Sequence, residues 1–310
     1  MKQSLLSAAA LAVCVLSTPA EADEPLFGFV YSTDLLPKGQ KEAEQWITLR
    51  EGRANGTFNL LQTRTELSYG ATDNLQLSGY LDLAHANVSG NGPDGSTIPP
   101  EVFADYNADP SRRFVKTRLQ DISAEAIYRF SSPYLSPLGA AIYFEPSIGP
   151  RTRELETRLI LQKNFIDDRL VFAFNATLAY EWRKLHGDPE AEPGSVEART
   201  HWDKETDVNF GLAGSYRFAP NWSAGAEILN EREWAGLNPL SAGNRINQAW
   251  YAGPTIHWGG RKAFATLSTV FQLPMAHDYA DDGVDAVING LSNADDFEEL
   301  RVRLKVGFYF

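Results

Sequence analysis

One cysteine, two methionines and five histidines are all that 310 residues contain of these types. The cysteine, Cys14, falls in an N-terminal stretch laid out as a cleavable export leader, so the mature chain is expected to carry no thiol. That excludes disulfides, thiolate metal sites and cysteine catalysis, and it suits an oxidising compartment. Long hydrophobic runs are also missing: beyond the N-terminus no stretch of 18 or more apolar residues occurs, so no helix is expected to cross a bilayer. Basic charge is in deficit, with 28 Lys and Arg against 40 Asp and Glu and a net charge of −12. A negative surface repels polyanions, and a nucleic-acid partner is not expected. There is no glycine-rich phosphate loop, and His186, His201, His257 and His277 lack metal-ligand spacing. Neither cofactor nor metal is predicted, and the chain does not read as an enzyme.

The leader shows one positive charge at Lys2, an apolar stretch from Leu5 to Leu16 and a small-residue site at Ala20-Glu21-Ala22, which predicts cleavage after Ala22. Cleavage removes one basic and one acidic residue, so the balance stays at −12. Leu11-Ala12-Val13-Cys14 resembles a lipoprotein signal, but Val13 stands where a small residue belongs, which disfavours lipidation. The expected organisation is a signal peptide over 1–22, a periplasmic segment or partial plug over 23–39 and a barrel over 40–310. Leu26 to Thr33 is a candidate strand too short to span a bilayer, and Pro37-Lys38-Gly39 is expected to turn the chain into the first membrane strand.

From residue 40 onward the chain is a train of about twelve segments with period-two alternation. In the last, Leu300, Val302, Leu304, Val306, Phe308 and Phe310 alternate with Arg301, Arg303, Lys305, Gly307 and Tyr309, so one face is apolar and the other largely cationic. The segments after Leu170 and around Val208 repeat the pattern, and weaker ones begin near Gln40, Gln62, Asn74, Ile122, Leu138, Leu155, Trp222, Ala249 and Ala263. Tight turns at Ala71–Asp73, Ile166–Asp168, Ala219–Asn221 and Gly259–Gly260, with a slightly longer one at Ser131–Pro137, alternate with long polar links. The long links run from Val88 to Arg113, His186 to His201, Ala235 to Ile246 and Pro274 to Asp296; two others, near Gly52 and Gly149, are short. Short turns on one side and long loops on the other are the asymmetry of an up-and-down transmembrane β-barrel, and an even strand count of twelve keeps both ends on the short-turn side.

Aromatic residues supply a further test. Tyr69, Tyr128, Phe130, Phe165, Phe172, Tyr216, Phe218, Trp222, Trp258 and Phe310 fall near short-turn ends, and Phe144, Tyr180, Trp182, Trp250 and Phe271 are assigned to long-loop ends, as two interfacial belts require. A soluble β-sandwich explains the alternation but neither the loop asymmetry nor the belts.

The ending Val306-Gly307-Phe308-Tyr309-Phe310 resembles the C-terminal assembly signal of Gram-negative outer-membrane β-barrels. The resemblance implies an all-β, porin-like barrel in the cell outer membrane, in contact with lipid and lipopolysaccharide and inserted by the barrel-assembly machinery through Phe308 and Phe310. Tyr31-Ser32-Thr33-Asp34-Leu35-Leu36-Pro37-Lys38-Gly39 with Glu44-Gln45-Trp46 resembles the start of an uncharacterised group of proteobacterial barrels.

Strand parity assigns Arg64, Glu66, Asp82, Glu125, Arg129, Glu145, Glu156, Arg158, Glu181, Arg183, Asp207, Arg217, Glu227, Arg301, Arg303 and Lys305 to the lumen, because an Arg or Lys in mid-bilayer costs about 2–4 kcal/mol. Twelve strands leave a narrow passage, and opposed charges there predict a polar constriction for small solutes. The rival is a non-conducting structural or surface-interaction barrel whose ion pairs brace a closed lumen. A lipid-hydrolase reading is remote. Outer-membrane phospholipases also use His, Ser and Asn near the rim, but their His and Ser stand two apart and are followed by Asn-Gly, whereas four positions separate His85 from Ser89, with Asn91 beyond. The acidic stretch His277–Glu299 loosely resembles a calcium loop, but Ala280 and Asn289 occupy ligand positions, so a solvated loop is expected.

Overall fold

The computed structural model describes residues 25–187, 191–239, 241–279, 286–294 and 297–310; the expected leader lies outside them. Among the described residues twelve long strands form one antiparallel sheet. They are β1 (Lys41–Glu51), β2 (Thr57–Thr72), β3 (Leu75–Ser89), β4 (Phe114–Ser131), β5 (Gly139–Ile148), β6 (Thr152–Phe165), β7 (Leu170–Leu185), β8 (His201–Ala219), β9 (Trp222–Ala235), β10 (Arg245–Gly259), β11 (Ala263–Gln272) and β12 (Leu300–Tyr309). Each pairs with its neighbour in sequence, and β12 returns to β1, running from Glu42 opposite Tyr309 to Glu51 opposite Leu300. The sheet therefore closes without an edge, as a barrel in lipid must. Strand number, order and loop asymmetry are those read from the sequence.

Strand boundaries differ at the outer ends. β4 and β8 begin at Phe114 and His201 and run for 18 and 19 residues, although a crossing needs about 9–11. Beyond the hydrocarbon the outward face no longer has to be apolar, so the ladder continues where the alternation has faded. A register irregularity between Asp82 and Leu83 opposite β4 also breaks the parity around Gln120 and Asp121.

The exterior is inverted relative to a water-soluble protein. Leu67 is 62% exposed and its neighbour Glu66 only 5%; Leu77, Ile142, Leu212 and Leu267 are likewise exposed while Ser78, Tyr143, Ala213 and Ser268 are buried. Such a surface is stable only against hydrocarbon, so this is a transmembrane β-barrel of the outer-membrane type. Tyr69, Tyr128, Phe130, Phe165, Phe172, Tyr216, Phe218, Trp222 and Phe310 form the exposed aromatic belt at the short-turn end, and Phe271 is exposed at the other. Phe144 is also exposed, as the sixth residue of the ten-residue β5. Phe308 and Phe310 stand exposed at the end of β12.

The candidate strand at Leu26–Thr33 does not form. Its backbone crosses the barrel interior, and its donors go to side chains of the wall instead of a ladder. Glu227 accepts the amides of Gly28, Phe29 and Val30 at 2.8, 2.8 and 2.9 Å, Asn175 accepts that of Tyr31 at 2.7 Å, Gln162 that of Thr33 at 2.6 Å and Gln76 that of Leu36 at 2.9 Å. Pro37–Gln40 then turns into β1 through Gly39 at φ +87°, with the Gly39 amide donating to the Gly70 carbonyl at 2.7 Å. Gly70 has to be glycine, since a Cβ there would lie 2.2 Å from the Pro37 carbonyl oxygen.

Apolar residues fill part of the interior. Phe27 and Val30 of this segment and Phe297 of the loop before β12 pack with Ala173, Ala213, Leu229, Ala249, Tyr251 and Val270, the inward face of β7–β11. Phe103, in the loop between β3 and β4, packs on Phe58, Leu60, Ala84 and Ala86. Replacing Leu267, exposed at the middle of β11, by Arg should lower barrel stability in lipid vesicles by about 2–4 kcal/mol, read from urea unfolding.

Candidate functional site

Three polar cavities lie in the interior among the described residues, the middle and inner ones against β1–β6 and β12 and the outer one reaching across to β7–β9. The outer one, about 240 Å³, reaches from Arg50 and Gln62 to Glu181, Asp207 and Glu233 and is roofed by Pro100–Val102 and Phe297. The middle one, about 210 Å³, lies between Phe29 and Tyr31 of the crossing segment and Arg64, Asp82, Glu145, Glu156, Arg158 and Arg303. The inner one, about 50 Å³, is lined by Tyr31, Asp34, Glu42, Glu44, Glu66, Glu125 and Lys305. Gln62, Gln120 and Glu154 border both the outer and middle cavities, and Tyr31 and Trp46 both the middle and inner ones.

In the middle tier Arg64 Nε donates to Asp82 at 2.9 Å and its guanidinium lies 3.2 Å from Glu145, while Arg158 meets Glu156 at 2.7 Å. The cations also stack on rings: Arg64 lies 4.4 Å from the Tyr80 centroid, Arg158 4.4 Å from Tyr31, Arg303 4.4 Å from Phe29 and Lys305 3.8 Å from Trp46. At the outer level Arg183 pairs with Glu101, with Glu205 and, at 3.4 Å, with Glu181. Arg301 is bidentate to Glu231 at 2.5 and 2.8 Å and also pairs with Glu298. Burial pushes the Glu298 carboxyl up, but Arg301 and Arg50 outweigh it and hold that carboxyl below its usual value.

Twelve of the sixteen parity-assigned charges line these cavities. Arg129, Arg217, Glu227 and Arg301 do not. Glu227 is sealed under the N-terminal segment and Arg129 donates to the Thr33 carbonyl at 3.2 Å. Parity places a side chain inside the barrel but does not tell whether water or polypeptide meets it there.

Several residues escaped the sequence reading. Asp121 and Glu154 lie just before the segments taken to begin at Ile122 and Leu155. Glu42, Glu44 and Trp46 share one parity of β1, a strand whose alternation is weak. The inward rings Tyr80, Tyr143 and Tyr251 resemble interfacial aromatics unless parity is applied to them.

Residues 19–310 match a family described as a family of unknown function, DUF6662. The chain belongs to that family. A comparison with curated proteins finds no match. Among solved structures, the chain resembles the COG4313 outer membrane channel from Pseudomonas putida F1 at 14% identity and a TM-score of 0.54, covering 90% of this chain and 98% of that one. It resembles the NanC porin at 11% identity and a TM-score of 0.47 (86% and 98%), and LpxR from Salmonella typhimurium at 10% and 0.46 (86% and 100%). At such identities the likeness to the Pseudomonas channel speaks for the shared barrel alone.

This DUF6662 member does not assemble His85, Ser89 and Asn91 into a catalytic set. His85 Nδ1 lies 2.7 Å from Thr117 Oγ1 on the outward face, and the Asn91 amide is tied to the Ile98 backbone at 2.9 and 3.0 Å. Among the described residues no group of three or more His, Cys, Asp or Glu is placed to hold a metal; Asp281, Asp282, Asp285, Asp295 and Asp296 of the acidic stretch lie outside them.

Glu227 is the anchor of the crossing segment. Glu227→Ala leaves three backbone donors without an acceptor, and the docked segment should weaken by about 2–3 kcal/mol. Amide hydrogen exchange checks this: Gly28, Phe29 and Val30 should exchange faster, with the protection of β2 and β3 unchanged.

Proposed function

We propose that the protein is a passive outer-membrane channel whose path runs from the outer cavity inward, between the β1–β6 wall and the N-terminal segment. One observation carries the reading: the three polar cavities share lining residues in series. A barrel that only needed bracing gains more from a filled core than from a row of wet cavities bordered by charge.

Tyr31 and Trp46, whose ring centroids lie 6.5 Å apart, border both the middle and the inner cavities. Carboxylates outnumber cations on the lining. The inner cavity sets Asp34, Glu42, Glu44, Glu66 and Glu125 against Lys305, and the middle one sets Asp82, Glu145, Glu154 and Glu156 against Arg64, Arg158 and Arg303. Such a wall favours small cations over anions. The solutes that pass are small, and no cofactor is used. At either interface the protein meets lipid and lipopolysaccharide through its aromatic belts, and the exposed Phe308 and Phe310 are the residues offered to the assembly machinery.

A second reading rests on the crossing segment itself, whose six amide contacts to the wall suit a closed, structural lumen. Planar-bilayer recordings in a KCl gradient separate the two. The channel reading expects discrete steps, a reversal potential of cation-selective sign and larger steps for Tyr31→Ala. Silence from both proteins assigns the barrel a structural role.

A further inference from the structure

The outer cavity holds more negative charge than its neighbours balance. Glu101, Asp121, Glu154, Glu181, Asp207, Glu231 and Glu233 line it, against Arg50, Arg153 and Arg183. Of these cations Arg153 is turned to the outer surface, where it stacks on Trp202 at 4.8 Å. Arg50 meets Glu298 at 2.8 Å, and Arg183 is engaged by Glu101, Glu205 and Glu181. Among the described residues no ion-pair partner reaches Asp121, Glu154, Asp207 or Glu233 within 4 Å.

Strand register makes the crowding worse. Asp82 stands directly opposite Asp121, Glu154 opposite Glu181, Glu181 opposite Glu205, and Asp207 opposite Glu233. Like charges in such pairs repel. A second observation is independent of this clustering: Asp121 is only 5% exposed, borders the cavity, and its Oδ1 finds no hydrogen-bond partner. Asp82 Oδ2, on the strand opposite, is equally without a donor, so this pair of carboxylates needs a proton or a cation that the neighbouring side chains do not supply.

We infer that the outer cavity binds an organic polycation, a linear di- or triamine, with ammonium groups at Asp121 and Glu154 on one side and at Asp207 and Glu233 on the other. The carboxylates surround a volume of about 240 Å³ and do not converge on a point, so separated charges suit them better than one compact metal ion. The lining also includes Leu60, Val102 and Phe297, apolar side chains available to methylene groups of the ligand. The inference extends the channel reading by naming a solute class for its mouth.

The test is calorimetric titration of the full chain in detergent with spermidine, and with calcium as a compact dication. Spermidine should bind, more weakly at high salt. Asp121→Asn and Glu233→Gln should each reduce its affinity about tenfold, the loss of one charge-assisted contact. Both variants, relieved of like-charge repulsion, should melt above the wild type without amine and gain less from adding it. Where one of them fails to fold by heat-modifiable gel migration, Glu154→Gln replaces it with the same expectation. The proposal is overturned if spermidine does not bind the wild type, if the variants bind it equally well, or if calcium binds more tightly. Conductance in KCl reports separately on the channel: a silent barrel that binds spermidine removes the channel and keeps the site, and a conducting barrel that does not bind it removes the site alone.

Discussion

Every backbone N–H and C=O that lies in hydrocarbon has to find its partner within the protein, and the rest of this structure follows from that constraint. It demands a closed sheet, met here when β12 pairs with β1. Closure then imposes two solvents on each strand. Outward side chains face lipid, which is why Leu67 and Leu212 are exposed, and inward side chains face whatever the lumen holds. The same rule ends at the interface, and β4 and β8 continue past it as ordinary ladders.

The lumen is where the chain departs from a simple water-filled tube. Among the described residues three elements enter it, the segment 25–36, the β3–β4 loop through Phe103 and the loop before β12, and the first and last meet in an apolar cluster on small residues such as Ala173, Ala213 and Ala249. Polypeptide inside a barrel cannot pair with a sheet whose ladder is already complete. Its donors must go to side chains, and Glu227, Asn175, Gln162 and Gln76 take them. The packing against β7–β11 narrows the bore, and the middle and inner polar cavities lie on the opposite wall, while the outer one reaches across to β7–β9.

Charge arrangement is uneven along the remaining space. In the middle tier Glu145 faces Glu156 across the strands, yet Arg64 and Arg158 stand beside them and the account closes locally. In the inner tier Glu44 faces Glu66 with Lys305 near, and Lys305 lies over the Trp46 ring. The outer tier repeats the opposed carboxylates, seven of them lining its cavity against three cations. An opposed like pair costs on the order of 0.2–1 kcal/mol, so the excess at the mouth lowers the stability of the empty barrel.

Much of the architecture was legible in the chain because a membrane strand leaves a local record: a period of two, a turn at each end and an aromatic at each interface. The alternation over Leu300–Phe310 determined the face that β12 turns to lipid, and the turns at Ile166–Asp168 and Ala219–Asn221 determined which end is short. Parity also sent Arg64, Glu145 and Arg158 to the interior. The record fades at Asp121, where the register irregularity opposite Asp82 breaks the parity, and at Glu154, near the outer end of β6. Parity sends Glu227 inward too, but it says nothing about the backbone amides 197 to 199 residues away that Glu227 accepts, or about where the interior is packed and where it is open. Those features depend on contacts between segments remote in sequence, and only the closed tertiary structure decides them.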